Sequence, residues 1–291
     1  MCEKSVEWSV VDLERAPPTG LDRIDQTTGG LDGAFNFSPT GGQNVDVYVI
    51  DTGVDVNHPD IKGRAEVFDV TGEGLQDLNG HGSHVSGTIA GTKFGIAKQA
   101  RITGIKVFSK SGKGANSNIL RALGQVSALQ KQRNRPGVVN MSLGGPRGSA
   151  QSDSVISKAI QALTAQGVSI AVAAGNENAD ACGSSPAFVP EVITVGAVDP
   201  KNDKFASFSN FGKCVDIIAP GVQIESIAAN TAGKSKFLSG TSMSTPHVAG
   251  VLAVLMSEGL SRADAEAKLL GTATNGVVKG NLKGSPNKLL F

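Results

Sequence analysis

The chain is predicted to be an α/β protein with one mostly parallel central sheet and helices on both of its faces. Three observations carry this. Short runs of β-branched residues alternate with longer amphipathic runs along the chain, the pattern of strand–helix crossovers. The first strand run, Val45 to Ile50, is apolar almost throughout, as a strand buried on both faces must be. Glycine makes up 37 of 291 residues without periodicity, which suits tight turns and close backbone approaches rather than collagen.

Taken in order, residues 1–40 read as irregular, with a joint at Pro17-Pro18-Thr19-Gly20 and turns at Gly29-Gly30, Pro39 and Gly41-Gly42. The strand from Val45 to Ile50 ends at Asp51-Thr52-Gly53. Residues 54–80 read as a long loop, and His81 to Gly91 as a tightly packed helix rich in small residues. Ile102–Val107 is a strand and Asn118–Arg133 a helix with Ile119, Leu120, Leu123, Val126 and Leu129 on one face. Val138–Ser142 is a strand, Ser152–Gln166 a helix and Val168–Ala174 a strand that runs into Gly175-Asn176; Val192–Val198 is another strand. Right-handed crossovers bring the carboxyl ends of these strands to one edge, so Asp51, Ser142, Gly175 and Asn176 converge there. Gly240 to Gly250, GTSMSTPHVAG, opens an apolar helix, with Pro246 expected in the first turn, where its missing N–H costs nothing. No repeat or linker divides the chain, so we read one domain over residues 20–291 behind an N-terminal extension, residues 1–19.

Composition narrows the function. Net charge is +1 and no basic patch or aromatic-basic run stands out, which argues against a nucleic-acid partner. No apolar run is long enough to span a membrane. The N-terminus lacks the apolar core of a signal peptide, so either the protein is cytosolic or the sequence begins after a processing site. Of the three cysteines, Cys182 and Cys214 either bridge or stay as two buried thiols, and Cys2 is left over.

Ser242 sits at a helix start, in the positive end of the backbone dipole. By itself it, or Thr241, reads equally well as an N-cap. As a nucleophile it needs a base, an orienting group and an oxyanion site. Only four histidines are present. His58 lies in a proline-flanked loop, His84 and His247 fall within packed helices, and His81 opens its helix beside the cleft. A metal pair from His81 and His84 lacks the four-residue spacing and adjacent glutamate of a zincin. Asp51, which could merely satisfy loop amides, lies at the strand end where it can orient His81. The order Asp, His, Ser excludes the α/β-hydrolase and chymotrypsin arrangements.

The motifs VIDTGV around Asp51, NGHGSHVSGTIAG around His81, NMSLGG at 140–145, AAGNEN around Asn176, SPA at 185–187 and GTSMSTPHVAG around Ser242 resemble the subtilisin-like serine proteases. GLDRIDQ at 20–26 and ASFSNFGKCVDIIAPG at 206–221 narrow the resemblance to the proteinase K branch. The resemblance implies a single-domain endopeptidase with a triad of Asp51, His81 and Ser242. It implies Asn176 as side-chain donor to the oxyanion. Polypeptide substrate would pair with Ser142-Leu143-Gly144 and with Gly112-Lys113-Gly114. Ala173-Ala174-Gly175 would form the second wall of a small, uncharged pocket suited to an apolar or aromatic residue before the scissile bond. It further implies a Cys182–Cys214 disulfide, a secreted monomer, no catalytic cofactor, and a prodomain acting as folding aid and inhibitor, of which residues 3–15 would be a remnant. One structural calcium is expected on the Pro190 and Val192 carbonyls and the Asp216 carboxylate. A second family site is expected to be missing, because Gly271 stands where a carboxylate is needed. Ser83, Ser86 and Ser244 replace a threonine and two alanines, all small. Asn116 replaces an aromatic wall of a distant subsite, and Val85 removes a cysteine found in some relatives. A binding protein that kept the fold and lost turnover, and an esterase, are the competing functions; the intact Asp51, His81, Asn176 and Ser242 favour the endopeptidase.

Overall fold

In the computed structural model, residues 12–291 are described; Cys2 and most of the extension lie outside them. The first described segments correct the reading of residues 1–40 as irregular. Strand β1 (Asp12–Arg15) pairs antiparallel with β2 (Ala34–Phe37), and a short helix α1 (Thr19–Ile24) lies between them. These elements are four to six residues long, too short for periodicity to announce them.

The main sheet begins at β3 (Asp46–Asp51), buried at all six positions. Val47 and Val49 point into one core, Tyr48 and Ile50 into the other, as period-two alternation requires of a strand covered twice. The expected loop 54–80 contains an edge strand, β4 (Ala65–Asp69), before helix α2 (His81–Ala90). Then follow β5 (Arg101–Lys106), α3 (Asn116–Arg133), β6 (Gly137–Met141), the two-residue β7 (Gly145–Pro146), α4 (Ala150–Thr164) and β8 (Ser169–Ala173). A further two-residue strand, β9 (Ser184–Ser185), pairs with β7. Next come β10 (Ile193–Asp199), β11 (Lys204–Phe205) and β12 (Ile217–Pro220). The hairpin of β13 (Ile224–Ile227) and β14 (Ser235–Leu238) leads into α5 (Thr241–Ser257). Helix α6 (Arg262–Thr272), β15 (Thr274–Asn275) and β16 (Lys288–Leu289) complete the chain.

The sheet order is β15-β16-β12-β10-β8-β6-β3-β5-β4, parallel except for β15 and for β11, which pairs with β10. Beyond β3 the chain winds first through β4 and β5 on one side, then through β6, β8 and β10 on the other. The carboxyl ends of β3 and β6 therefore flank a topological switch point, where parallel sheets leave a crevice. Helices α2 and α5 pack in the core on one face, α3 and α4 in the core on the other.

Two features bring α2 and α5 close to that crevice. Helix α2 approaches its neighbours through glycines. A Cβ on Gly82 would stand 2.2 Å from the Gly53 carbonyl, and one on Gly87 would stand 2.3 Å from Ser226 Oγ. Helix α5 is buried on nearly every side, so it runs through the core rather than over it. The placement of Pro246 differs from expectation: it lies inside α5, a full turn past Thr241. Its missing N–H therefore does cost a helical bond, the one owed to the Ser242 carbonyl. Cys182 and Cys214 are bridged, with Cα atoms 5.3 Å apart. Cross-linking across 32 residues of sequence contributes about 3–4 kcal/mol in the chain-entropy account. No helix among the described residues is long and apolar enough to cross a membrane.

Candidate active site

Asp51 is the last residue of β3 and fully buried, and its Oδ1 accepts the Thr52 amide at 2.7 Å. His81 is the first residue of α2, set in place by Gly80 in the left-handed region at φ 86°. The two meet at the crevice: His81 Nδ1 lies 2.8 and 2.9 Å from the Asp51 carboxylate oxygens. With Nδ1 donating to Asp51, the other ring nitrogen, Nε2, is left as the acceptor. Burial alone would lower the His81 pKa. The Asp51 charge and hydrogen bond, joined by the charge of Asp77, override it and hold the imidazole above its ordinary value; Lys236 pulls the other way.

Asp77 was not singled out by sequence, and it organises this corner. It is 1% exposed. Its oxygens accept the Thr52 hydroxyl at 2.8 Å, the Gly80 amide at 2.7 Å, and the Ser83 amide and hydroxyl at 2.9 and 2.6 Å. Thr52 in turn accepts the Gly82 amide at 2.9 Å. One carboxylate thus caps α2 and ties it to the end of β3. Ser83, a departure from the family pattern, uses its hydroxyl twice, on Asp77 and on the Asp55 amide at 2.8 Å. The other two departures are equally satisfied: Ser86 donates to the Gly82 carbonyl at 2.7 Å and Ser244 to the Ala219 carbonyl at 3.0 Å.

Ser242 is the second residue of α5, after Gly240 at φ 155°. Its hydroxyl donates to the Ser142 carbonyl at 3.1 Å. Asn176 lies past the end of β8 on an exposed turn. Its Oδ1 accepts the Thr241 amide at 2.8 Å and the Thr241 hydroxyl at 3.0 Å, so its two Nδ2 donors are turned away from Thr241. Buried Asn210 holds the same turn: its Oδ1 accepts the Glu177 and Ala179 amides, and its Nδ2 donates to the Ala174 carbonyl at 2.9 Å. A threonine beside the serine and an asparagine far along the chain carry no pattern of their own, so neither supporting role was legible.

The structure gathers these groups around one cleft of about 640 Å³. Its lining includes His81, Ser242, Asn176, Ser142-Leu143-Gly144 and Gly112-Lys113-Gly114. The expected second wall, Ala173-Ala174-Gly175, is not part of that lining: Ala173 ends β8, and Ala173 and Ala174 are 3% and 0% exposed. His84 and His247 are outside the cleft and buried. Burial pushes His84 down to about 3 and His247 down to about 4. His84 Nε2 faces the Ile224 carbonyl at 3.0 Å and His247 Nδ1 the Met243 carbonyl at 2.8 Å. His58 lies 3.1 Å from the Lys234 carbonyl, likewise a structural contact.

Pro190 and Val192 lie in the segment before β10, and Asp216 immediately before β12. Burial raises the Asp216 pKa. Among the described residues its carboxylate takes one hydrogen bond, from the Thr194 amide at 2.8 Å. A partly buried carboxylate with so little compensation has oxygen donors of the kind a hard cation takes. Among the described residues no group of three or more His, Cys, Asp or Glu side chains forms a metal cluster.

The model of the subtilase family matches residues 42–287. The chain is 42% identical to an extracellular serine proteinase of Thermus sp. (strain Rt41A), over 95% of this chain and 67% of that one. It is 44% identical to alkaline serine exoprotease A of Vibrio alginolyticus, over 94% of this chain and 49% of the other. It is 39% identical to the subtilisin-like serine protease Pen ch 18 of Penicillium rubens, over 96% and 60%. The chain thus spans about half to two thirds of these relatives. The crystal structure of a cold adapted subtilisin-like serine proteinase superposes with a TM-score of 0.85 at 44% identity, covering 95% of this chain and 98% of that one.

Proposed function

The chain belongs to the subtilase family, and from that premise we propose that it is a serine endopeptidase that cleaves polypeptides through an acyl-enzyme on Ser242. The observation that carries the reading is the Asp51–His81 pair, at 2.8 Å, opening on the same cleft as Ser242. Ser242 Oγ turns from the Ser142 carbonyl to attack the scissile carbonyl, and His81 Nε2 takes its proton. Asp51 holds the tautomer and stabilises the imidazolium. The Asn176 Nδ2 and the Ser242 amide, at the positive end of α5, receive the oxyanion. His81 then returns the proton to the leaving amine, and water repeats the sequence to release the acyl group.

Substrate lies extended between Ser142-Leu143-Gly144 and Gly112-Lys113-Gly114 as an added strand. The residue before the scissile bond enters between Ser142-Leu143-Gly144 and Ala173-Ala174-Gly175, walls without charge, so it is apolar or aromatic. Residues 20–291 form the peptidase domain and 1–19 an extension. We place the protein outside the cell as a monomer, matured from a form whose prodomain assists folding and inhibits the site. The Cys182–Cys214 bridge and the name of the extracellular relative support that location. No cofactor enters the chemistry. Asp216 with the Pro190 and Val192 carbonyls would hold calcium as a structural ion, which stabilises the fold by mass action. Thermal inactivation should then quicken with a chelator, and Asp216→Ala should be fast and chelator-insensitive; equal rates in both buffers would remove the ion.

The decisive test is Ser242→Ala, read as cleavage of a denatured protein and as labelling by a serine-directed phosphonylating reagent. In subtilisin, a relative, loss of the nucleophile costs on the order of 10⁶ in kcat, and a loss of that order is expected here together with loss of labelling. Retention of a tenth of the wild-type turnover would sink the assignment.

A further inference from the structure

We propose that the Ser142 side chain, aimed by Asn140, positions the nucleophile by supplying the hydrogen bond that Pro246 withholds from the Ser242 carbonyl. The inference rests on Ser242 being the nucleophile, and it gives Ser142 a role separate from its main chain as a substrate wall.

Inside an α-helix the carbonyl of residue 242 is served by the amide of residue 246. Pro246 has no N–H, and its ring crowds the same carbonyl. That carbonyl belongs to the residue whose hydroxyl would react, so any drift in it moves the nucleophile. Ser142 Oγ stands 2.8 Å from it and donates. Ser142 is only 3% exposed.

The direction of this bond is set from behind. Asn140 Nδ2 donates to Ser142 Oγ at 2.9 Å. A hydroxyl has one proton; with its oxygen already accepting from Asn140, that proton goes to the Ser242 carbonyl. Asn140 is fully buried, and its Oδ1 has no partner among the described residues. Leaving a buried oxygen unpaired is costly, which fits a residue kept for its donor. In return Ser242 Oγ donates to the Ser142 carbonyl at 3.1 Å. Two serines 100 residues apart thus exchange hydroxyl-to-carbonyl bonds, locking the end of β6 to the start of α5. Asn176 Oδ1 holds the neighbouring residue of α5, Thr241, by accepting from its amide and its hydroxyl.

A four-protein cycle tests this: wild type, Ser142→Ala, Pro246→Ala and the double variant, each measured for kcat and KM on a peptide substrate and for Tm. Pro246→Ala returns a main-chain donor to the Ser242 carbonyl. Ser142→Ala should therefore lower kcat about tenfold with Pro246 present, at little change in KM, and no more than about twofold in the Pro246→Ala background. Asn140→Asp, which can only accept, should draw the Ser142 proton away and reproduce the kcat loss. Equal losses from Ser142→Ala in both backgrounds would overturn the proposal, as would a loss confined to KM. Should Ser142→Ala not fold, the double variant should recover folding and Tm; failure of both to fold would also overturn it. A fully active Ser242→Ala would defeat the nucleophile reading instead, leaving the Tm coupling to report on the contact itself.

Discussion

The first turn of α2 follows Gly80 at φ 86° and the first turn of α5 follows Gly240 at φ 155°, and neither helix is capped by the side chain of its N-cap residue. The two starts then diverge. At α2, buried Asp77 accepts the Gly80 and Ser83 amides, so the positive helix end is permanently matched by a carboxylate. At α5, the Thr241 amide goes to the neutral Asn176 Oδ1, and the Ser242 amide makes no hydrogen bond among the described residues. The difference teaches how one device serves two ends. A helix start filled with negative charge would support the imidazolium of His81 in the proposed reaction. A helix start kept neutral remains free to receive the oxyanion that the same proposal places there.

The largest effect that could break this comparison is at α5. Asn176→Ala should lower kcat by about 10²–10³ with KM little changed, the scale known for the corresponding donor of subtilisin. Asn176→Asp should cost at least as much, because it makes the α5 start resemble that of α2 and sets a like charge against the oxyanion. A loss below tenfold in either variant would mean that α5 is not an anion site. The next effect sharpens the α2 half. His81 must be neutral to act as base, and its pKa is held above the ordinary 6.5, so kcat/KM should rise with pH through a midpoint above that value. Asp77→Asn removes one of the charges responsible and should move the midpoint to lower pH, with a fall in Tm from the weakened cap. An unmoved midpoint would leave Asp77 as a cap alone.

A smaller effect concerns the buried histidine inside each helix, His84 in α2 and His247 in α5. His84 and His247 are held neutral by burial, at about 3 and about 4. Unfolded, each binds a proton below about 6.5. Their contribution to stability is thus complete above that value and is lost as pH falls toward the folded values. Urea midpoints should drop on acidification from pH 7 to 4.5, and His247→Gln should flatten the drop. An equally steep fall in the variant would place the acid sensitivity elsewhere.

Much of the fold was readable in the sequence, and the residues proposed to react sit in contiguous runs that mark its elements. Asp51 closes a β-branched strand, His81 opens a run of small residues, and Ser242 lies in the first turn of an apolar helix. The groups that hold them were not readable. Asp77 sits among other loop aspartates and asparagines, and its role exists only once α2 folds back on β3. The Ser142–Ser242 exchange spans 100 residues and depends on Pro246 lying deeper in α5 than its sequence suggested. Strand β4 escaped notice because an edge strand carrying Glu66 and Asp69 shows no continuous apolar run. The start of α3 at Asn116 lay two residues upstream of the expected Asn118, in polar residues that periodicity does not see.

The glycines of α2 set limits on how this protein can be hardened. Replacing a helical glycine with alanine ordinarily stabilises by about 0.4–1 kcal/mol, because the unfolded chain loses freedom. On α2 that route is closed. A methyl at position 82 would meet the Gly53 carbonyl at 2.2 Å, and one at 87 would meet Ser226 Oγ at 2.3 Å and Ile227 at 2.7 Å. The displaced atoms belong to the strand end beside Asp51 and to the hairpin behind His84, so a gain in backbone rigidity would be offset by displacing the proposed base, His81. Gly124, in the middle of α3 on the opposite face of the sheet, has nothing within 4 Å. Gly124→Ala should raise Tm by a few degrees with turnover unchanged, whereas a library at 82 and 87 should return almost only glycine among active clones. Mutational tolerance in this fold would then follow distance from the α2 contact surface, leaving α3 as the helix on which heat resistance can be changed without touching rate.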